Sequence, residues 1–121
     1  MRELKFRARE TKTKKWIYSD EVGTATFWRL KFQGELDLDT VAEYVGLKDK
    51  NSKEIYGGDI LAKHNKFKEF DKLGVVEFKN GTYVIKLLSP HNQDLELFEY
   101  NDTYEIVGNV YEDSELLEEA K

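Results

Sequence analysis

The sequence predicts a mainly β protein: a small, barrel-like antiparallel domain closed by a short C-terminal helix. Three observations carry that reading. Apolar and polar residues alternate with period two along most of the chain, the signature of half-buried strands. Two such runs, "GVVEFK" and "TYVIKLL", are joined by Asn80-Gly81, the preferred pair for a two-residue type I′ hairpin. The last residues, "DSELLEEAK", are helix formers instead. The 121 residues are read as one domain, 1–121, long enough for a core without covalent staples.

The elements follow in order. In "ELKFRAR", Leu4, Phe6 and Ala8 share one face while Lys5, Arg7 and Arg9 share the other, which predicts a strand with a basic outer face. After the polar turn "ETKTK", "KKWIYSD" reads as a second short strand. "TFWRLKF" is expected to be a third, with Trp28, Leu30 and Phe32 opposite Arg29 and Lys31. "DILA" opens another. In the hairpin, the turn sets the pairs Lys79–Thr82, Phe78–Tyr83, Glu77–Val84 and Val76–Ile85. One face then holds Val76, Phe78, Tyr83, Ile85 and Leu87, all expected in a core, so truncating Phe78 should be costly. Pro90 marks a loop. "LELFEY" alternates but is short enough for a helical turn. "YEIVGNVYE" is apolar on both faces, as a central strand would be. Asp113 or Ser114 can cap the final helix, which must dock to persist.

The stretch "YVGLKDKNSKEIYGGDIL", Tyr44 to Leu61, looks at first like a working loop. Asp49-x-Asn51 opens like a calcium loop, but the later ligand places hold Lys53, Glu54 and Ile60. Gly57-Gly58 lacks any phosphate-loop pattern, and Asp59 would repel an anion. The better reading is a turned connection. Lys48 to Lys53 form a polar turn, Ile55 and Tyr56 anchor its return, and the glycines make the corner that launches "DILA".

Composition excludes more than it assigns. Aromatics at 13% argue against disorder. With no Cys there is no disulfide, zinc thiolate or thiol nucleophile. The charged N-terminus and the lack of a long apolar run predict no signal peptide and no transmembrane helix, hence a soluble protein of the cytoplasm. His64 and His91 sit 27 residues apart in polar loops and read as solvated. Asp37 and Asp39 flank a turn and read the same way. Nothing assembles an acid, a base and an orienting group, so no catalytic residue, metal ligand or cofactor is assigned. Net charge is −5, yet residues 2–15 balance at +5 and the chain from His91 onward at −9. The two ends are expected to meet, within one chain or between subunits.

Four segments, "MRELKFRAR", "EYVGLKDKNSKEIYGGDIL", "GVVEFKNGTYV" and "YEIVGNVYEDSELLEEAK", together resemble the YopX family of small proteins encoded mainly by bacteriophages and prophages. The middle segment is the specific one. The chain departs from the family at Gly57, where or beside which an acidic residue is common, and at Arg9, where an aromatic is. The resemblance implies a mostly β, multimeric protein in the cytoplasm of a bacterial host, with no catalytic residue to carry over. It makes Tyr44, Gly46, Leu47, Asp49, Ile55, Tyr56, Gly58, Asp59 and Ile60 framework positions. The order of "GDIL", a charged loop and the Asn-Gly hairpin is that of small SH3-like barrels, an analogy of architecture only.

Two functions compete. The first is a phage or prophage accessory protein that self-associates or binds a host protein through charged ends and strand edges. The second is a nucleic-acid-binding barrel using Arg7, Arg9, Lys12, Lys14 and Lys15, with Trp16 and Tyr18 as stacking groups. Overall negative charge disfavours the second.

Overall fold

The computed structural model describes residues 4–67 and 70–119. It holds two antiparallel sheets of four and five strands, one of them a half-barrel, so the mainly β expectation is met. The four-stranded sheet runs β2-β1-β3-β4 and the five-stranded one β8-β7-β6-β5-β9, in chain-order labels given with their bounds below. The chain divides into two compact units, Met1–Tyr44 and Val45–Lys121.

In the first unit, β1 (Phe6–Arg9) pairs with β2 (Trp16–Tyr18) and with the start of β3 (Ala42–Lys48). Arg7 faces Tyr18 and Arg9 faces Trp16 across β1 and β2. The alternation expected in β1 is present, but its basic face is not outside: Arg7 is only 6% exposed and Lys5 is buried beside it. Leu4, placed on the apolar face, is exposed.

The strand expected over "TFWRLKF" is a helix. After the short α1 (Ser19–Val22), α2 spans Thr24–Phe32. Gly34, at φ 76°, ends it. Its N–H donates to Lys31 O at 3.1 Å and that of Glu35 to Leu30 O at 3.0 Å, the paired bonds of a Schellman stop. Seven residues with mixed alternation do not separate the two periods; the flanking glycines do. On the helix, Phe27 is fully buried with Ala8 and Leu36, and Trp28 and Leu30 pack at the margin. Phe32 lies five residues beyond Phe27, about 140° round the helix, and points away from that core. A 3-10 turn at Leu38–Thr40 follows, with Asp37 Oδ1 accepting from Asp39 N at 3.1 Å. Asp37 is thus a turn cap rather than a merely solvated carboxylate.

In the second unit the strands are β4 (Glu54–Tyr56), β5 (Asp59–His64), β6 (Phe70–Lys79), β7 (Thr82–Leu87), β8 (Asp94–Glu96) and β9 (Glu105–Asn109). Helices α3 (Leu97–Tyr100) and α4 (Ser114–Glu119) complete it. "LELFEY" therefore splits between strand and helix. Both faces of the five-stranded sheet are covered. Leu61, Val76, Ile85 and Leu97 lie in one apolar cluster; Ile60, Ala62 and Leu73 lie in another that Leu116 and Leu117 of α4 cover.

The hairpin register is as the turn dictates, from Lys79–Thr82 through Phe78–Tyr83 to Val76–Ile85. Asn80 and Gly81 sit at φ 52° and 83°, the positive values a type I′ turn needs. Val76, Ile85 and Leu87 are buried as expected. Phe78 is not: it is 64% exposed at the tip, where the hairpin outruns the core. Its ring packs edge-on against Tyr83, centroids 5.1 Å apart. Register decides which face a side chain takes, and the length of the covering layer decides whether that face is buried. Phe78→Ala should therefore cost about 1 kcal/mol or less, the scale of one aromatic pair. A urea midpoint reporting more than about 2.5 kcal/mol, near the buried range, would contradict an exposed ring.

Strand β9, expected to be central, is an edge strand. Its two apolar faces reflect cover on both sides: Ile106 packs on one cluster and Val107 on the other. Its outer edge is occupied by the Asp49 turn, as described below. The proposed cap at Asp113 also acts elsewhere, for Asp113 Oδ2 accepts from Asn109 N at 3.0 Å.

Candidate functional site

The Tyr44–Leu61 stretch turns the chain between β3, β4 and β5. Tyr44, Ile55, Tyr56 and Ile60 are buried, Leu47 packs against the second unit's core, and Gly46 and Gly58 sit at φ 90° and 88°. Two carboxylates do backbone work. Asp49 is only 4% exposed and accepts three N–H bonds: Oδ1 from Asn51 at 2.8 Å and Lys53 at 2.9 Å, and Oδ2 from Ile106 of β9 at 2.8 Å. Lys50 N adds a bond to Tyr104 O at 2.9 Å. The turn thereby covers the open edge of β9, which would otherwise invite pairing. Asp59, also buried, accepts from Tyr56 N at 2.8 Å and closes the Gly57-Gly58 corner. Both carboxylates face N–H donors of the chain itself, which is a structural use.

The basic residues at the front of the chain are not one surface. Arg7 stacks over the Trp16 ring, 4.5 Å from its centroid, and Lys5 lies 4.8 Å over Tyr44 and 4.0 Å from Asp20 Oδ2. Arg9 donates from Nε to Lys14 O at 3.3 Å, holding the turn in which Lys14 takes φ 64°. That leaves Lys12, Lys14 and Lys15 as the exposed cations of the turn, with Trp16 and Tyr18 half-buried. A depression of about 350 Å³ lies between turn residues 10–13 and residues 33–35. Two of its hydroxyls are engaged, Thr13 with Glu10 Oε1 at 2.6 Å and Thr11 with Gly34 O at 3.4 Å.

His64, expected to be solvated, instead ends β5 with Nδ1 2.9 Å from Glu105 Oε1, while Glu105 Oε2 accepts from Asn51 Nδ2 at 3.2 Å. His91 is exposed, its Nε2 3.3 Å from Asp71 O. The resolved ionisation shifts have structural causes. Lys79 is pushed up by its hydrogen bond and ion pair with Asp94 at 2.6 Å, and Tyr104 is pushed up by burial. Among the described residues no group of three or more His, Asp or Glu is placed to hold a metal ion. None of the helices in them is long and apolar enough to cross a membrane.

What sequence reasoning missed is the aromatic surface. Of seven phenylalanines, Phe32, Phe67, Phe78 and Phe98 are 62–85% exposed. For Phe32 a signal existed, since a helical wheel separates it from Phe27. For Phe78 none did, because face pattern carries no information on how far the covering layer reaches.

These features define a small two-sheet β protein with several large aromatic side chains exposed at its surface. The chain belongs to the YopX family: the model of that family, described as YopX protein, matches residues 5–118. In structure it is similar to protein EF1440 from Enterococcus faecalis, a crystal structure, with a TM-score of 0.61 and 22% identity over 97% of this chain and 99% of that one. No curated protein matches the chain. Neither the family nor that neighbour gives a sign of catalytic activity.

Proposed function

We propose that this YopX protein is a self-associating protein-interaction module, an accessory protein of phage or prophage origin working in the bacterial cytoplasm, and not an enzyme. The exposure of Phe32, Phe67, Phe78 and Phe98 carries the proposal. Large aromatic side chains left in water are the usual anchors of interfaces, because burying them on association recovers the hydrophobic gain that folding left unused. The buried carboxylates of Asp49 and Asp59 support it from the other side, since both accept hydrogen bonds from the backbone.

Nucleic-acid binding is the weaker reading. It keeps Lys12, Lys14 and Lys15, but Arg7 is buried and already occupies a face of Trp16 that a base would need. Sedimentation equilibrium on the full chain tests the choice. The expected result is a mass at a multiple of 14.2 kDa that falls on dilution, lowered in a Phe32→Ser, Phe78→Ser double variant. A monomer at every concentration would refute self-association and leave a host protein as the partner. A nanomolar complex with one defined DNA or RNA at physiological salt would make the second reading correct.

A further inference from the structure

We infer that the outer face of α2 receives the acidic C-terminal helix α4 of a second copy of this chain. The inference rests on the self-association proposed above and names its contact. On α2, Phe32 is 85% exposed, the most exposed of the large apolar side chains among the described residues. Arg29, three residues earlier, is exposed on the same side. Lys31 Nζ lies 4.8 Å from the Trp28 centroid and 6.0 Å from that of Phe32, so its charge is held over aromatic rings. Cations at the end of a helix also suit its dipole, and that alone would explain Arg29 and Lys31. It does not explain a phenylalanine left in water at the helix end.

The complementary surface is α4. Leu116 and Leu117 pack inward against the second unit's apolar cluster, which turns Glu115 and Glu118 to solvent. These two carboxylates stand three residues apart, about 4.5 Å along the helix axis, within reach of two long cationic side chains. The segment 112–119 carries five acids and no base. Among the described residues Arg29, Lys31, Glu115 and Glu118 form no ion pair. The two helices thus carry charge of opposite sign that is in no ion pair within the described residues, and α2 adds an aromatic anchor.

The experiment is the dissociation constant of the full chain by sedimentation, with circular dichroism confirming that each variant is folded. Phe32→Ser, Arg29→Glu with Lys31→Glu, and Glu115→Lys with Glu118→Lys should each weaken association about tenfold or more. Combining the two charge reversals should restore it to within about threefold of the starting value, because the pairs are re-formed with signs exchanged. A wild-type chain that associates, with charge reversals that do not rescue one another, would overturn this contact and leave self-association standing. A wild-type chain monomeric at all concentrations would overturn both. Unchanged affinity in Phe32→Ser would assign the interface to another face.

Discussion

Asp49→Ala should destabilise the protein by about 3–5 kcal/mol, as large an effect as a core truncation, although the residue is an aspartate in a turn. Its carboxylate accepts three N–H bonds, from Asn51, Lys53 and Ile106. Bonds to a charged acceptor contribute about 1.5–3 kcal/mol each, and buried donors left without a partner add their own cost of about 1–3 kcal/mol. Rearrangement and water will recover part of the sum, hence the lower figure. Asp49→Asn keeps one acceptor oxygen and turns the other into a donor, so it should cost less but still weaken the bond to Ile106 or those to the turn. Amide exchange at Ile106 should accelerate in both variants, since β9 loses the cover on its outer edge. A cost below about 1 kcal/mol by urea unfolding, with Ile106 exchange unchanged, would show that the turn holds without the carboxylate.

Phe27→Ala should cost about 3–5 kcal/mol, while Phe32→Ala, five residues away, should change folding stability by less than about 0.5 kcal/mol. Phe27 is fully enclosed by Ala8, Leu36 and the rings of Phe6 and Trp28, whose centroids lie 6.4 and 5.4 Å from its own. Deleting it opens a cavity that the short strands around it cannot collapse to fill. Phe32 loses little because its side chain is 85% exposed in the folded chain. The contrast tests the helix directly. A strand over "TFWRLKF" would bury Phe32 with Trp28 and Leu30 and set Phe27 opposite them. Measurements at dilute protein keep association out of the comparison. Equal costs at the two positions would overturn the helical assignment.

Several parts of this protein are legible in its residues, and they share one property: the deciding information is local. Asn80-Gly81 specifies a turn whose twist matches its strands, and every pair of the hairpin follows from it. The patterns "FRAR", "WIY" and "DILA" declare strands, and "SELLEE" a helix, because alternation and helix propensity are properties of a few neighbouring residues.

Only the tertiary structure decided where cover begins and ends. Phe78 and Val76 share a face, yet one is exposed and the other buried, since the layer above the sheet stops short of the hairpin tip. Arg7 and Lys5 carry the charge expected of an outer face, but Trp16 and Tyr44 lie over them and turn that face inward. Strand β9 is apolar on both faces because two clusters cover it, while its outer edge is closed by Asp49, 57 residues earlier in the chain. Burial of a side chain depends on elements far away in sequence, and a period of two or 3.6 residues says which way a side chain points but not what it meets there.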